Sequence, residues 1–434
     1  MIVASFSFGA GNAAQLLRIP AYVLGALAVR VIPRSRDQWV FGCGAGVTDG
    51  ALALWRQVTA DGRPALWLTG SPRDDADARA LGITFARKSS LRGFWRTARA
   101  RVVVVTHGFG DANRYAVAGA FTVQLWHGIP LKRIGLDSPE TLRSSILPRS
   151  RVVRALLRLM YTRATRRIDL LPAASHLVRG RLESAFALPD ERVPVTGEPR
   201  TDVLTAGGVE PSADRARARI VDAVGPLPTP GSRVVLYAPT WRDGDPDPAV
   251  PTGQEWDALL AVLDACDAVL LVRSHPLGAG DYTPPRDSAR VRAFGSDLVR
   301  DATPALPGLD ALITDYSSMA FDAALVALPV LYFAPDAEVY ARRRGFYGRY
   351  EDVAGPDLAR TWAEATVQLA TLLRDPAEQE RRSALSRALS LRVHAFRDGG
   401  STRRVYRAIV ERAGLPAATM GAGRADAGAE GTTA

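Results

Sequence analysis

Two doubly wound α/β domains in tandem, each built on a parallel sheet, are what this sequence predicts. Short runs of Val, Ile, Leu and Phe alternate with helical segments in two separate series. A Pro- and Gly-rich stretch at 221–231 (VDAVGPLPTPG) divides the series and reads as a linker. Many of the apolar runs end abruptly in Gly, His, Asp or Ser, which suit turns at strand ends. A chain of 434 residues, 47% of them hydrophobic, is also too long for one ordinary domain and suits two of about 200.

The elements follow in order. Residues 38–42 (QWVFG) form the first expected strand, 49–58 a helix, and 64–69 (PALWLT) the next strand. Residues 101–106 (RVVVVT) are an unbroken apolar strand closed by His107 and Gly108. Residues 121–125 (FTVQL) break at Trp126-His127-Gly128, and Ile129-Pro130 follow. Pro near the first position after a turn marks a strand-to-helix corner. Residues 151–167 read as a basic helix carrying Arg151, Arg154, Arg158, Arg163, Arg166 and Arg167. Strands at 169–174 and 193–196 complete the first series. In the second, strands are expected at 233–238, 268–272, 291–294, 311–314 and 329–333. Closing helices at 362–373 and 377–391 flank Pro376. The expected division is therefore 1–37, an amphipathic membrane-proximal segment; 38–225 and 226–416, two Rossmann-like domains facing across a cleft; and 417–434, a disordered tail of mostly Gly, Ala and Thr.

Composition narrows the partners. The net charge is +10, and every basic residue except Lys88 and Lys132 is Arg. Arg grips phosphate with two parallel hydrogen bonds, so phosphorylated ligands, anionic polymers, acidic membranes and nucleic acid all stay open at this point. Cys43 and Cys266 are far apart, which argues against a disulfide framework or a structural zinc and fits a reducing compartment. The longest apolar run, 19–29, is 11 residues, too short to cross a bilayer. The start lacks the early positive residues of a signal peptide. The segment 16–36 mixes Leu, Val and Ala with Arg18, Arg30, Arg34 and Arg36, and suits either an interfacial helix or a packing helix.

In open parallel sheets, ligands bind at the strands' carboxyl ends. His127 stands at such an end, although the same pattern also describes a core histidine. Tyr237 to Asp243 (YAPTWRD), Arg273 to Pro276 (RSHP) and Asp315 to Ser318 (DYSS) stand at three ends in the second half. Asp322 follows Ser318 by one helical turn. Singly, each is as well explained by a cap or a loop. Together, opposite a His-bearing turn, they suit a nucleoside diphosphate, its oxygens held by hydroxyls and backbone N–H groups. Asp243 and Asp245 have the spacing of a metal pair, but Gly and Pro around them read as a loop.

The ordered set WHGIPLK, GEPRTDVL, YAPTWRD, RSHP, DYSSMAFD, RRRGFYGRYED and the closing HAFRDGGSTRR resembles the CDP-glycerol glycerophosphotransferase family of teichoic acid primases and polymerases. The likeness spans about 101–404. It implies a GT-B-like fold and a peripheral enzyme on the cytoplasmic face of the membrane. It also implies transfer of glycerol phosphate or ribitol phosphate from CDP-glycerol or CDP-ribitol to a lipid-linked or polymeric acceptor, with release of CMP. By the resemblance, His127 and His275 are the catalytic histidines. Arg200, Arg242, Arg273, Ser317, Ser318 and Asp322 match donor-contacting positions, and Trp126, Gly128, Ile129, Pro130, Ser274 and Asp315 complete the expected binding set. No cofactor is required, and a nonessential Mg²⁺ is left open. Ile129 stands where the family usually has Thr, which puts donor preference in question; Arg349 and Ala354 also depart from its pattern.

His107 is expected to be structural, His176 a cap or surface residue, and His394 a weaker cleft candidate. The rings of Trp126, Trp241 and Tyr316 read as loop packing. Two rivals remain. A GT-B glycosyltransferase using a nucleotide sugar would release a nucleoside diphosphate. A basic protein binding nucleic acid or an anionic polymer through the 151–167 helix would show no turnover. The strand-end clusters lie away from that helix, so nucleic acid is not an expected partner; the helix is assigned to the membrane surface or the anionic acceptor.

Overall fold

The computed structural model describes residues 19–142, 150–205, 213–242, 246–274 and 280–416. Among these lie two five-stranded sheets, all of whose strand pairs are parallel. The first contains β1 (Trp39–Gly42), β2 (Ala65–Thr69), β3 (Phe85–Arg87), β4 (Val102–Val105) and β5 (Phe121–Gln124), in the order β3-β2-β1-β4-β5. The second contains β6 (Arg233–Ala238), β7 (Ala268–Val272), β8 (Val291–Ala293), β9 (Ala311–Thr314) and β10 (Val330–Tyr332), in the order β10-β9-β6-β7-β8. Numbered within its own domain, each sheet runs 3-2-1-4-5. The order reverses between β1 and β4, and again between β6 and β9. Those two switch points are where such sheets open a crevice.

The central strands are mostly apolar because helices cover both faces. β1, β4, β7 and β9 are buried at every position. The helix Asp49–Ala60 buries Ala51, Leu54 and Val58, spaced for one helical face. Ser71 and Asp74 form a reciprocal cap on the helix Pro72–Ala80, with Pro at its first position. Thr252 with Glu255, and Thr361 with Glu364, cap two helices of the second domain in the same way.

Three expectations are corrected. The runs at 169–174 and 193–196 are not strands; they touch their neighbours only as single bridges, Val123 with Leu170 and Ala173 with Val195. The helix Ala213–Val224 does not close the first domain. Its Ile220 is buried in the core shared with Val234, Leu306 and Leu312 of the second, so this helix already packs with the second domain ahead of the expected linker at 221–231. The second domain does not run to 416 either. After the helix Pro376–Val393 the chain crosses back, with the Ala395 N–H bonding the Ala174 carbonyl at 2.9 Å. The final helix, Ser401–Arg412, then buries Val405, Tyr406 and Ile409 against Leu54 and Val58 of the first domain. Asp202 caps that helix, accepting from the Ser401 and Thr402 N–H groups at 2.9 and 2.6 Å. Residues 1–18 of the expected segment 1–37, and the expected tail 417–434, lie outside the described residues.

Ile409 is fully buried. Ile409→Ala should cost about 2–4 kcal/mol of unfolding free energy through the cavity it leaves. Hydrogen exchange should quicken in Asp49–Ala60, where the helix docks. Faster exchange confined to the second sheet would contradict the docking.

Candidate functional site

The turn after β5 and the turn after β9 meet across the cleft. Trp126 has φ +63° and Gly128 φ +136°, so the chain reverses sharply within Trp126-His127-Gly128. A Cβ at Gly128 would stand 2.8 Å from the Ser318 hydroxyl and 3.6 Å from an Arg200 nitrogen. Glycine is needed there twice over, for its backbone conformation and for the close approach of the opposite domain.

Arg200 joins the halves. It follows Thr196-Gly197-Glu198-Pro199 in the first domain. One of its nitrogens reaches both oxygens of Asp322 in the second, at 2.6 and 2.8 Å. Its Nε donates to Asp49 at 3.2 Å and its other terminal nitrogen to Thr303 at 3.2 Å. The Arg200 and Asp322 side chains are only 12% and 2% exposed, so the pair is held away from solvent. Asp49 and Thr303 are partners that the sequence did not reveal. The one hint was Asp at the head of a helix, at φ +64°, a conformation that Asp tolerates better than most residues. Glu198 was missed too. It is 2% exposed, its Oε2 has no hydrogen-bond partner, and burial pushes its pKa up to about 8 against the pull of Arg200.

His127 is half-buried beside the cleft. Its Nδ1 lies 3.5 Å from the Thr106 carbonyl. Burial first, and His107 second, hold its pKa well below the usual histidine value; Arg200 and Lys132 push the same way, and only the Thr106 carbonyl opposes them. The ring is therefore neutral at physiological pH. An Nδ1–H directed at the carbonyl leaves the lone pair on Nε2, the form a general base needs.

The remaining expected residues divide by environment. Ser317 and Ser318 are half-buried at the turn, with Ser317 Oγ accepting from the Met319 N–H at 3.2 Å. Arg242 is 5% exposed. It makes a two-bond pair with Asp336 at 2.9 and 3.0 Å, reaches Asp315 at 2.7 Å, and packs against the Tyr316 and Tyr340 rings. Asp315 in turn holds the Thr240 N–H at 3.0 Å. This knot stands behind the β6 and β9 loops and fixes their shape. Arg273 donates to the carbonyls of Phe294, Val299 and Arg300 at 3.0, 2.7 and 3.0 Å, so it frames the loop after β8; Ser274 beside it is half-buried. Ile129 is fully buried in the hydrophobic core and Pro130 is buried with it. The departure at Ile129 that put donor preference in question therefore lies inside the packed apolar core. Trp126 packs edge-on against Phe186 at 5.1 Å. His394 is buried, bonds the Phe321 carbonyl at 3.0 Å, and burial lowers its pKa to about 4, so it is a neutral brace for the helix Met319–Leu325. His275, with Pro276, lies outside the described residues, as do Asp243 and Asp245.

A cavity of about 370 Å³ opens between the domains beside Arg200, bounded by Asp49, Phe294, Arg300 and Asp301. Its size lies within the range of small-ligand sites.

The profile of the family described as CDP-Glycerol:Poly(glycerophosphate) glycerophosphotransferase matches residues 41–411. The chain is 32% identical over 245 residues to a teichoic acid poly(glycerol phosphate) polymerase of Staphylococcus epidermidis, covering 54% of this chain and 31% of that protein. It is 28% identical over 290 residues to a teichoic acid glycerol-phosphate transferase of Staphylococcus aureus, covering 63% of this chain and 68% of that one. The chain thus spans under a third of the first relative's length and about two thirds of the second's. Among solved structures it superposes on the wall teichoic acid polymerase TagF with a TM-score of 0.73 at 22% identity, over 93% of this chain and 96% of the other. That likeness establishes the fold, the GT-B arrangement of two facing parallel-sheet domains.

Glu198 gives the site a pH signature. Between its ordinary value of 4.5 and about 8 the folded protein keeps a proton that the unfolded chain has lost. Stability should therefore fall as pH rises through that window, by on the order of a few kcal/mol. Urea midpoints at pH 5.5 and 8.5 should differ less for Glu198→Gln than for the native protein. An unchanged difference would place the proton elsewhere.

Proposed function

The chain belongs to the CDP-glycerol:poly(glycerophosphate) glycerophosphotransferase family, and from that premise we propose that it transfers an alditol phosphate from a CDP-alditol to a polymeric or lipid-linked acceptor of the teichoic acid type. One observation supports this reading above the rest: the His127 turn and the Ser317-Ser318 turn come within contact distance across the cleft at Gly128. A base on one wall thereby faces an anion-binding turn on the other.

The chemistry needs an acceptor hydroxyl deprotonated, a leaving nucleotide neutralised, and the two groups held in line. In the proposal, His127 Nε2 takes the proton from the acceptor hydroxyl. The acceptor oxygen forms a bond to the alditol-bearing phosphorus, and the bond from that phosphorus to the CMP oxygen breaks. The serine turn and its backbone N–H groups hold the diphosphate; Arg242 and Asp315 hold that turn in place. His275 is assigned, by family resemblance, to the leaving phosphate. The cavity beside Arg200 receives the donor's nucleoside end. No step relies on a metal, and Mg²⁺ stays an optional companion of the diphosphate.

The same proposal places the enzyme on the cytoplasmic face of the membrane. No helix among the described residues is long and apolar enough to cross a bilayer. Two helices nevertheless expose apolar side chains. Ile19–Val31 shows Val23, Leu24, Leu27 and Val31 to solvent, and Arg151–Thr165 shows Val152, Leu156 and Leu159. In the second helix those three residues share a face beside the exposed Arg151, Arg154 and Arg158. Apolar side chains next to Arg suit an anionic lipid surface.

Incubation with CDP-glycerol, CDP-ribitol and UDP-sugars plus a lipid-linked acceptor should release CMP from a CDP-alditol; a nucleoside diphosphate as the sole product would refute the reaction. His127→Ala should lower kcat by about 10² to 10⁴ while donor affinity stays within a few-fold. Near-native turnover would remove the base from His127. Leu156→Ser with Leu159→Ser should weaken sedimentation with phosphatidylglycerol vesicles by about tenfold, since each buried apolar side chain contributes roughly 1.5–3 kcal/mol at most. Unaltered sedimentation would assign the helix another role.

A further inference from the structure

His107 and His127 lie ring on ring. Their centroids are 4.2 Å apart and their planes differ by 4°. The sheet makes them neighbours. β4 and β5 are parallel, Val105 pairs with Gln124, and each strand ends in its histidine a few residues later. Thr106 ties both rings back. Its carbonyl faces His127 Nδ1, and its hydroxyl lies 2.8 Å from His107 Nδ1. That hydroxyl donates to Asp111 at 3.3 Å, and Asp111 also accepts from the Thr106 and His107 N–H groups at 3.0 and 2.7 Å. The Thr106 hydroxyl thus bridges His107 Nδ1 and the Asp111 carboxylate. On the outer side, a Cβ at Gly44 would approach the His107 ring to 2.7 Å, so this position needs glycine for the ring to fit.

We propose that His107 is a positioning residue for His127: clamped through Thr106 and Asp111, it lies flat on the base and fixes the plane in which Nε2 meets the acceptor hydroxyl. This rests on the reading of His127 as the base. A ring held between Trp126, at 4.2 Å, and His107 has little freedom to tilt. His127 also resists protonation. A charge on its ring would stand against His107 and near Arg200 and Lys132; Asp111 is committed behind Thr106, Asp49 to Arg200, and the Cys43 thiol is kept protonated by burial. Losing the stack lets water reach the ring and removes the neighbour that disfavours its charge, and both effects raise the pH at which His127 gains its proton.

The test is titration of His127 by NMR in protein carrying labelled histidine, which is tractable with five histidines in the chain. It needs no substrate. His107→Ala should move the His127 titration upward by about half a pH unit or more. The acid limb of kcat/KM should move with it, and kcat should fall about tenfold while donor KM stays within twofold. His107→Phe keeps a flat ring in the same slot and should restore most of kcat. If neither the titration nor the acid limb moves in His107→Ala, or if His107→Phe is as impaired as His107→Ala, the proposal is overturned. Loss of thermal stability alone, with both pH readouts unmoved, also overturns it. Should the titration move while no CDP-alditol is turned over, the positioning stands and the assigned reaction fails.

Discussion

Arg200 reaches from one domain into a carboxylate of the other, and the geometry of the cleft depends on that contact. Its guanidinium is shared between Asp49 on its own side and Asp322 opposite, in a place largely closed to water. A buried ion pair adds little net stability, since removing water from both charges costs about as much as their attraction returns. Its value here is geometric. Either charge left alone would be severely penalised, so one relation between the domains is favoured over others. That relation brings the Gly128 backbone against Ser318 and turns two separate strand-end loops into one site. The unpaired, raised Glu198 carboxyl belongs to the same knot and lets it hold one more acid than its cation can neutralise.

The sheets supply the second constraint. In a parallel sheet all strands deliver their carboxyl ends to the same edge, so residues distant in sequence gather there. Because both domains share one strand order, both present their switch-point loops to a common cleft. The same logic stacks His107 on His127. Two adjacent parallel strands in register end at the same height, and the side chains just beyond them have few places to go.

Residues within the shared motifs do different physical work. His127, Ser317 and Ser318 border the cleft. Arg242 and Asp315 lie behind it in a closed network with Asp336 and the Tyr316 and Tyr340 rings. His394 bonds a helix carbonyl. Asp202 and Ser401, nearly two hundred positions apart, meet where the closing helix is capped. That contact explains physically why GEPRTDVL and HAFRDGGSTRR occur in one chain: each completes the other's fold. A motif thus marks positions under constraint, but not whether a ligand or the frame imposes the constraint.

The sequence by itself determined the α/β alternation, the two parallel sheets and most strand positions, because strands covered on both faces are unbroken apolar runs and such runs are visible in one dimension. It also placed His127 and the Ser317-Ser318 turn at strand ends. It missed β3, whose three residues are only partly apolar, and it overread 169–174 and 193–196, whose apolar residues face the core but pair with a neighbour only at single bridges. Only the tertiary structure decided which core the helices Ala213–Val224 and Ser401–Arg412 enter, since periodicity shows that a helix has a buried face and not what lies against it. Only the tertiary structure paired Arg200 with Asp322, sent the Ile129 side chain inward, and laid His107 on His127. Each of these depends on atoms brought together from separate parts of the chain, and no local pattern of residues encodes that meeting.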